Sequence, residues 1–294
     1  MDTANKTVSL VLGSGGARGL AHIGVIKWLD EHDLEIISVS GCSMGALVGG
    51  IYALGKLDEY EHWVRAITRR DMLRLLDLSF DGDGLVRGER IIETLKDLIG
   101  DCRIEDLPIR FTAVAADIKR EKEVWLNSGS LFDAIRASIS IPLFFKPAEI
   151  NGDKLVDGGV LNPVPIAPTV YDDSDLVIAV NLDGKPDPDY RAPEKEQETA
   201  QEDDFAQKIS NFIKSLDIAQ KVSEAKQSGM LEIAALTFET MQGAIARQRI
   251  AAYPPDIELQ IPRNVCMALE FDRADEMIKL GHQLAEDRLS GQLR

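Results

Sequence analysis

The sequence predicts an α/β fold built on a mostly parallel central sheet. Three observations point there. Strand-like and helix-like apolar patterns alternate up to residue 183, the order a parallel sheet with crossover helices requires. A glycine-rich loop follows the first strand pattern directly. A Gly-x-Ser-x-Gly pentapeptide then sits where a second strand pattern meets a helix pattern.

Taken in order, residues 7–12 read as a buried strand. The loop 13–19 leads into a helix over 20–31, with Ile23, Ile26, Trp28 and Leu29 on or near one face. Residues 34–39 are rich in β-branched side chains and read as a strand. Residues 46–57 place Leu47, Val48, Ile51 and Leu54 at helical spacing. Further helices are predicted over 58–70 and 88–99. Strands are predicted over 109–115 and 122–126, a short helix over 131–138, a strand-like approach at 154–156 and a buried strand over 176–181.

The composition changes at Gly184. Residues 185–204 hold three prolines, eight Asp or Glu residues and no Ile, Leu, Val, Met or Phe. Such a segment buries too little apolar area to offset its ordering entropy, so a mobile acidic loop is expected over 184–204. Beyond it, Phe205, Ile209, Phe212, Ile213 and Leu216 make one helical stripe, and Leu231, Ala235, Phe238, Met241 and Ile245 another. Pro254-Pro255 stops the second helix. A last strand over 257–261 and a closing amphipathic helix over 273–289 complete the reading. The domain division is a catalytic core over 7–183 and a C-terminal extension over 205–294 packed on the same domain; the helices after 204 are candidates for a lid.

At 294 residues the chain is long enough to bury a sizeable core, and 45% hydrophobic with 28% charged residues is ordinary for a globular protein. A net charge of −16 excludes a broad basic surface for nucleic acid and disfavours tight adsorption to anionic lipid. Cys42, Cys102 and Cys266 have unrelated spacings, which implies neither a metal site nor a disulfide framework. Residues 1–6 lack the charge-then-apolar order of a signal peptide and no stretch is long enough for a membrane span, so a cytoplasmic location is expected.

The loop Gly13-Ser14-Gly15-Gly16-Ala17-Arg18-Gly19 carries four glycines in seven residues. Its backbone N–H groups can converge on an anion with a helix dipole behind them. That anion is a nucleotide phosphate or the oxyanion of an acyl transfer, and a purely structural turn is a third reading. The dinucleotide register fails, because position 18 is arginine, and a Walker loop is absent.

In Gly41-Cys42-Ser43-Met44-Gly45 the flanking glycines permit a sharp turn that exposes the serine hydroxyl at a helix N-terminus. A hydroxyl nucleophile needs a base. Of the four histidines, only His282 falls in the order Ser–acid–His, and it lies in an amphipathic helical pattern that favours a surface or packing role. His22 sits three residues beyond the glycine loop, where local packing or capping is the simpler role. A carboxylate is available in Asp157-Gly158-Gly159, after the strand-like Lys154-Leu155-Val156 and before Asn162-Pro163-Val164-Pro165; the bland reading of the same residues is a β-turn.

These three motifs, in this order, together with Ala134-Ile135-Arg136-Ala137-Ser138 and Ile141-Pro142, resemble the patatin-like phospholipase family, in particular its bacterial branch. The match runs from about residue 8 to 183. The resemblance implies a three-layer α/β/α fold and a Ser–Asp dyad hydrolase of lipid acyl esters, with no histidine, metal or other cofactor. Carried onto this chain, Ser43 is the nucleophile and Asp157 the base. The oxyanion hole falls on backbone N–H groups at Gly15, Gly16 and Ala17, shaped by Arg18. Gly13, Gly19, Gly41, Gly45, Gly158 and Gly159 support the motifs. One departure is Ser14, where many members have glycine. The implied partners are a lipid or other acyl-ester substrate and transient contact with a membrane surface.

For Arg136 an ion pair within the α/β layer is expected, and for Cys42 a packing role. The rival readings are a catalytically idle scaffold of the same fold and a nucleotide-binding α/β protein.

Overall fold

The computed structural model describes residues 6–68, 71, 72, 75, 88–142, 144–190 and 224–292. Its strands are β1 (Thr7–Leu12), β2 (Glu35–Cys42), β3 (Arg110–Asp117), β4 (Lys122–Leu126), β5 (Ala148–Ile150), β6 (Asp153–Asp157), β7 (Leu176–Gly184) and β8 (Ile257–Pro262). Its helices are α1 (Ala21–Glu31), α2 (Met44–Ala53), α3 (Leu57–Ala66), α4 (Glu89–Ile99), α5 (Leu131–Ser138), α6 (Glu224–Ala252) and α7 (Ala274–Gln292).

The strands form one sheet in the order β5-β6-β3-β2-β1-β7-β8, with β4 also paired to β3. β3, β2, β1, β7 and β8 run parallel, while β4, β5 and β6 pair antiparallel. Alternation along β1 sends Val8, Leu10 and Leu12 into the larger core under α1, α2 and α7. Val11 points the other way, into a smaller core with Val164, Ile166, Ala179 and Ala246 of α6. The result is a three-layer α/β/α fold with a mostly parallel sheet.

Outside the central helices, α3 buries Leu57, Tyr60 and Val64, and α4 buries Ile92, Leu95 and Ile99. Both sets have the i, i+3, i+7 spacing of one helical face. Ser130 caps α5 by accepting the Asp133 N–H at 3.2 Å. At the C-terminal end, β8 extends the sheet beside β7, and α7 packs along α1.

Several boundaries differ from the sequence expectation. The helix expected over 46–57 ends at Ala53, because Gly55 adopts φ +74 in the left-handed region and Leu57 opens a new helix. β5 was not anticipated; it is three residues long and, among the described residues, paired only to β6. The second C-terminal helix is longer than its apolar stripe, and Met241 of that stripe is 56% exposed. The sheet is met instead by the small Ala246 and by Ile250. Lys185 to Tyr190, the start of the segment expected to be mobile, is anchored: the Asp187 N–H donates to Asn264 Oδ1 at 2.8 Å, and the Tyr190 hydroxyl to the Val265 carbonyl at 2.8 Å. The rest of that acidic segment and the stripe from Phe205 to Leu216 lie outside the described residues.

Candidate active site

The elbow forms where β2 delivers Cys42 to the start of α2. Ser43 has φ 55 and ψ −122, a conformation L-residues rarely adopt. A residue so placed stores roughly 1–3 kcal/mol and persists only when its surroundings hold it. Two features hold it. The Ser43 N–H donates to Ser138 Oγ at 2.9 Å, and the Ser138 hydroxyl donates to the Val114 carbonyl at 2.7 Å, a strut from β3 through α5 to the turn. Meanwhile α2 lies so close to β1 that a Cβ on Gly45 would stand 2.0 Å from the Leu12 carbonyl oxygen. The strut was not read from the sequence, where Ser138 is one serine among many.

Asp157 reaches the same place from the other direction. β6 runs antiparallel to β3 and pairs Asp157 with Ala115, one rung beyond the Val114–Cys42 pair. The carboxylate is 1% exposed. Its Oδ1 accepts the Gly159 N–H at 2.7 Å and lies 3.8 Å from the Cys42 thiol. Its Oδ2 is buried without a hydrogen-bond partner among the described residues. Burial pushes the carboxyl up to about 6, with the Ser43 hydroxyl, the Gly159 N–H and the Cys42 thiol pulling in the opposite direction. The hydroxyl is thus close enough to bias the carboxylate, yet no Ser43–Asp157 hydrogen bond of normal geometry is formed, which is why Oδ2 stands unpaired.

The glycine loop passes over this pair. The Gly13 N–H donates to the Val180 carbonyl at 3.0 Å and the Ser14 N–H to the Pro163 carbonyl at 2.8 Å. The Ala17 N–H, expected among the oxyanion donors, is already engaged by the Ala268 carbonyl at 2.9 Å. Gly15 and Gly16, at the entry to a short 3-10 turn (Gly16–Leu20) that runs into α1, have N–H groups with no acceptor among the described residues. Arg18 is buried and turns away, donating from one terminal nitrogen to the carbonyls of Arg263 at 3.3 Å and Cys266 at 3.2 Å. It ties the loop to the segment before α7. His22 is fully buried, and burial lowers its pKa to about 4, so it is neutral near pH 7. The ring nitrogen Nε2 therefore donates to the Gly13 carbonyl at 2.9 Å and pins the loop.

An apolar cavity of about 70 Å³ opens at Ser43. Leu47, Trp63, Leu95, Phe144 and Leu269 are among its walls, and Gly16 and Met44 line it together with Ser43. A serine hydroxyl, a buried carboxylate, backbone N–H groups without an acceptor among the described residues and an apolar cavity are groups that together could hold an acyl group and attack its carbonyl.

Other candidate residues fall elsewhere. His282 pairs with Glu31 at 2.8 Å on the surface between α7 and α1. Cys42 is buried, and burial beside Asp157 raises its thiol well above the ordinary range, as suits packing. Arg136 donates to Ser140 Oγ at 2.5 Å and to the Lys146 carbonyl at 3.0 Å, and its guanidinium lies over the Phe145 ring. Its charge also interacts with that of Glu89. Among the described residues no group of His, Cys, Asp or Glu is arranged to hold a metal ion, and no helix is long and apolar enough to cross a membrane.

Comparison with known proteins gives a consistent family. The model of the patatin-like phospholipase family matches residues 10–170. An uncharacterized NTE family protein of Mycobacterium tuberculosis (strain ATCC 25618 / H37Rv) is 37% identical, covering 98% of this chain and 92% of that protein. A lysophospholipase of Yarrowia lipolytica is 30% identical over 61% of this chain and 13% of its own length. The solved structure of VipD from Legionella pneumophila overlaps loosely, with a TM-score of 0.47 and 14% identity over 98% of this chain and 66% of that one.

Proposed function

This chain belongs to the patatin-like phospholipase family, and we propose that it hydrolyses carboxylic esters of lipids through a Ser43 acyl-enzyme, with Asp157 as base. Ser43 Oγ attacks the ester carbonyl as its proton passes to Asp157. The carbonyl oxygen, now negative, is held by the Gly15 and Gly16 N–H groups. The C–O bond to the alcohol then breaks, and Asp157 returns the proton to the leaving oxygen. Water repeats the cycle on the acyl-enzyme, releasing the acid and restoring Ser43.

The observation that carries this reading is the unpaired, buried Oδ2 of Asp157 beside a strained serine. An aspartate near 3.9 is a weak base for a hydroxyl; raised to about 6 it gains about two orders of magnitude in proton affinity and is still mostly ionised near pH 7. Each well-aimed oxyanion donor adds about 3–4 kcal/mol of transition-state stabilisation. The apolar cavity suits an acyl chain, and Met267, 72% exposed beside the cavity-lining Ala268 and Leu269, gives its surroundings an apolar point for contact with a lipid surface. The lysophospholipase among the relatives makes lysophospholipids a natural first substrate class.

Labelling by a fluorophosphonate probe tests the proposal. Wild type is expected to be labelled at Ser43 and to turn over phospholipid, lysophospholipid or short-chain esters, and Ser43→Ala to do neither. An unlabelled wild type with no ester turnover would leave the idle-scaffold reading in its place.

A further inference from the structure

The cavity is apolar almost throughout, yet two of the side chains that α3 contributes to its wall, one helical turn apart, carry a polar group. Tyr60 and Trp63 both line it, with ring centroids 5.9 Å apart. Tyr60 is 2% exposed, among the largest fully covered side chains of the protein. Among the described residues no hydrogen bond is made by its hydroxyl, and nothing but burial acts on it as an ionisable group. The Trp63 indole N–H likewise finds no acceptor among the described residues. A tyrosine hydroxyl withdrawn from bulk water nearly always has a partner, because leaving one unpaired costs free energy. Where Tyr52, on the neighbouring α2, is half-buried, its hydroxyl does find one, donating to Asp30 at 2.8 Å. Phenylalanine would fill the Tyr60 site without that cost.

We propose that the Tyr60 hydroxyl is a specificity element of the acyl channel, which takes acyl chains bearing an oxygen function, a hydroxyl or oxo group, at a fixed distance from the ester. The inference rests on the acyl-hydrolase reading of Ser43. A hydroxyl on the chain both donates to and accepts from Tyr60. A plain chain leaves the phenol unpaired and loses that bond. Discrimination therefore depends on where along the chain the oxygen sits, since the phenol is held by a packed helix.

The test compares esters of dodecanoic acid with esters of its hydroxy derivatives, the hydroxyl moved stepwise along the chain. Wild type is expected to favour one position over plain dodecanoate by roughly threefold to tenfold in kcat/KM, the factor one neutral hydrogen bond supplies. In Tyr60→Phe the ratio between these esters falls to about one. Equal rates on all positions in wild type, or a positional preference kept in Tyr60→Phe, overturn the proposal. Titration of full-length Ser43→Ala with the free hydroxy and plain acids, followed by tryptophan fluorescence, reads the same selectivity without turnover. If no ester is hydrolysed but the hydroxy acid binds more tightly, the hydrolase reading fails and the Tyr60 site stands; equal binding of both acids ends it.

Discussion

Cys42 and Asp157, 115 positions apart in the chain, meet head to head on one edge of β3. Cys42 pairs with Val114 and Asp157 with Ala115. One strand arrives parallel to β3 and the other antiparallel, so their C-terminal ends converge. The residue after Cys42 is the turn serine, and this register is what brings a hydroxyl and a carboxylate to one point. Local turn chemistry then finishes the job on each side, with a strained elbow after Cys42 and a tight Gly-Gly turn after Asp157.

Placing Asp157 there costs stability. Its carboxyl titrates at about 6 in the fold against 3.8 ordinarily, so the folded state binds the proton more tightly. Stability from this group is greatest below about pH 3.8, falls as pH rises to about 6, and is lower by up to about 3 kcal/mol above that. Asp157→Asn keeps an acceptor for the Gly159 N–H and removes the charge. It is expected to abolish turnover while raising Tm at about pH 8 and leaving Tm near pH 3.5 almost unchanged. A variant less stable than wild type at the higher pH would contradict a buried, poorly paired carboxylate.

His22 acts with the opposite sign. Its folded pKa of about 4 lies below 6.5, so the unfolded chain takes up the proton first and stability rises with pH between those values. Between about pH 4 and 6 the two groups oppose each other. His22→Gln, which keeps a donor for the Gly13 carbonyl, should uncover the Asp157 slope, with Tm then falling as pH rises through that window. An unchanged pH–Tm profile would show that His22 is not held neutral.

The rate should follow the same carboxylate. On a soluble short-chain ester, kcat/KM is expected to rise tenfold per pH unit at low pH and to bend near pH 6 as Asp157 loses its proton. A bend near 4 would indicate a solvated carboxylate in its place.

Strain at Ser43 gives a substitution pattern that runs against the usual glycine penalty. Glycine tolerates φ 55, ψ −122, whereas alanine keeps the clash of Cβ with the backbone. Ser43→Gly is therefore expected to be more stable than Ser43→Ala by about 1 kcal/mol in urea unfolding, with both inactive. A more stable alanine variant would mean that the turn relaxes in solution.

Gly45 and Gly55 separate close packing from backbone strain. A methyl group on Gly45 would meet the Leu12 carbonyl at 2.0 Å, backbone against backbone, with no side chain able to move aside. Gly45→Ala should cost about 3 kcal/mol or more and lower activity through the elbow. Gly55 has φ +74 with nothing within 4 Å of the new methyl, so Gly55→Ala should cost only about 1–2 kcal/mol and leave turnover intact. Chemical denaturation of both variants checks the contrast.

Much of the fold was legible because its signals are local. Thr7–Leu12, Lys122–Leu126 and Leu131–Ser138 appear with the expected bounds, since a short apolar run or one helical face declares itself within a few residues. The β5 strand and the early end of α2 were not, because one depends on pairing with β6 and the other on a single left-handed glycine. In the site, the positions of Ser43, Asp157 and the glycine loop were readable as motifs. That the Ala17 N–H is taken by Ala268, and that Arg18 faces the segment before α7, was not.

Alone, the order of residues determined the alternating elements, the motifs and the family they resemble, all of which follow from patterns within a few residues of one another. Only tertiary structure decided that Asp157 is buried enough to be raised to about 6 and, among the described residues, which loop N–H groups stay unpaired and that the Tyr60 hydroxyl meets no partner. Those properties belong to desolvation and to contacts between distant segments, and neither is encoded at any one position.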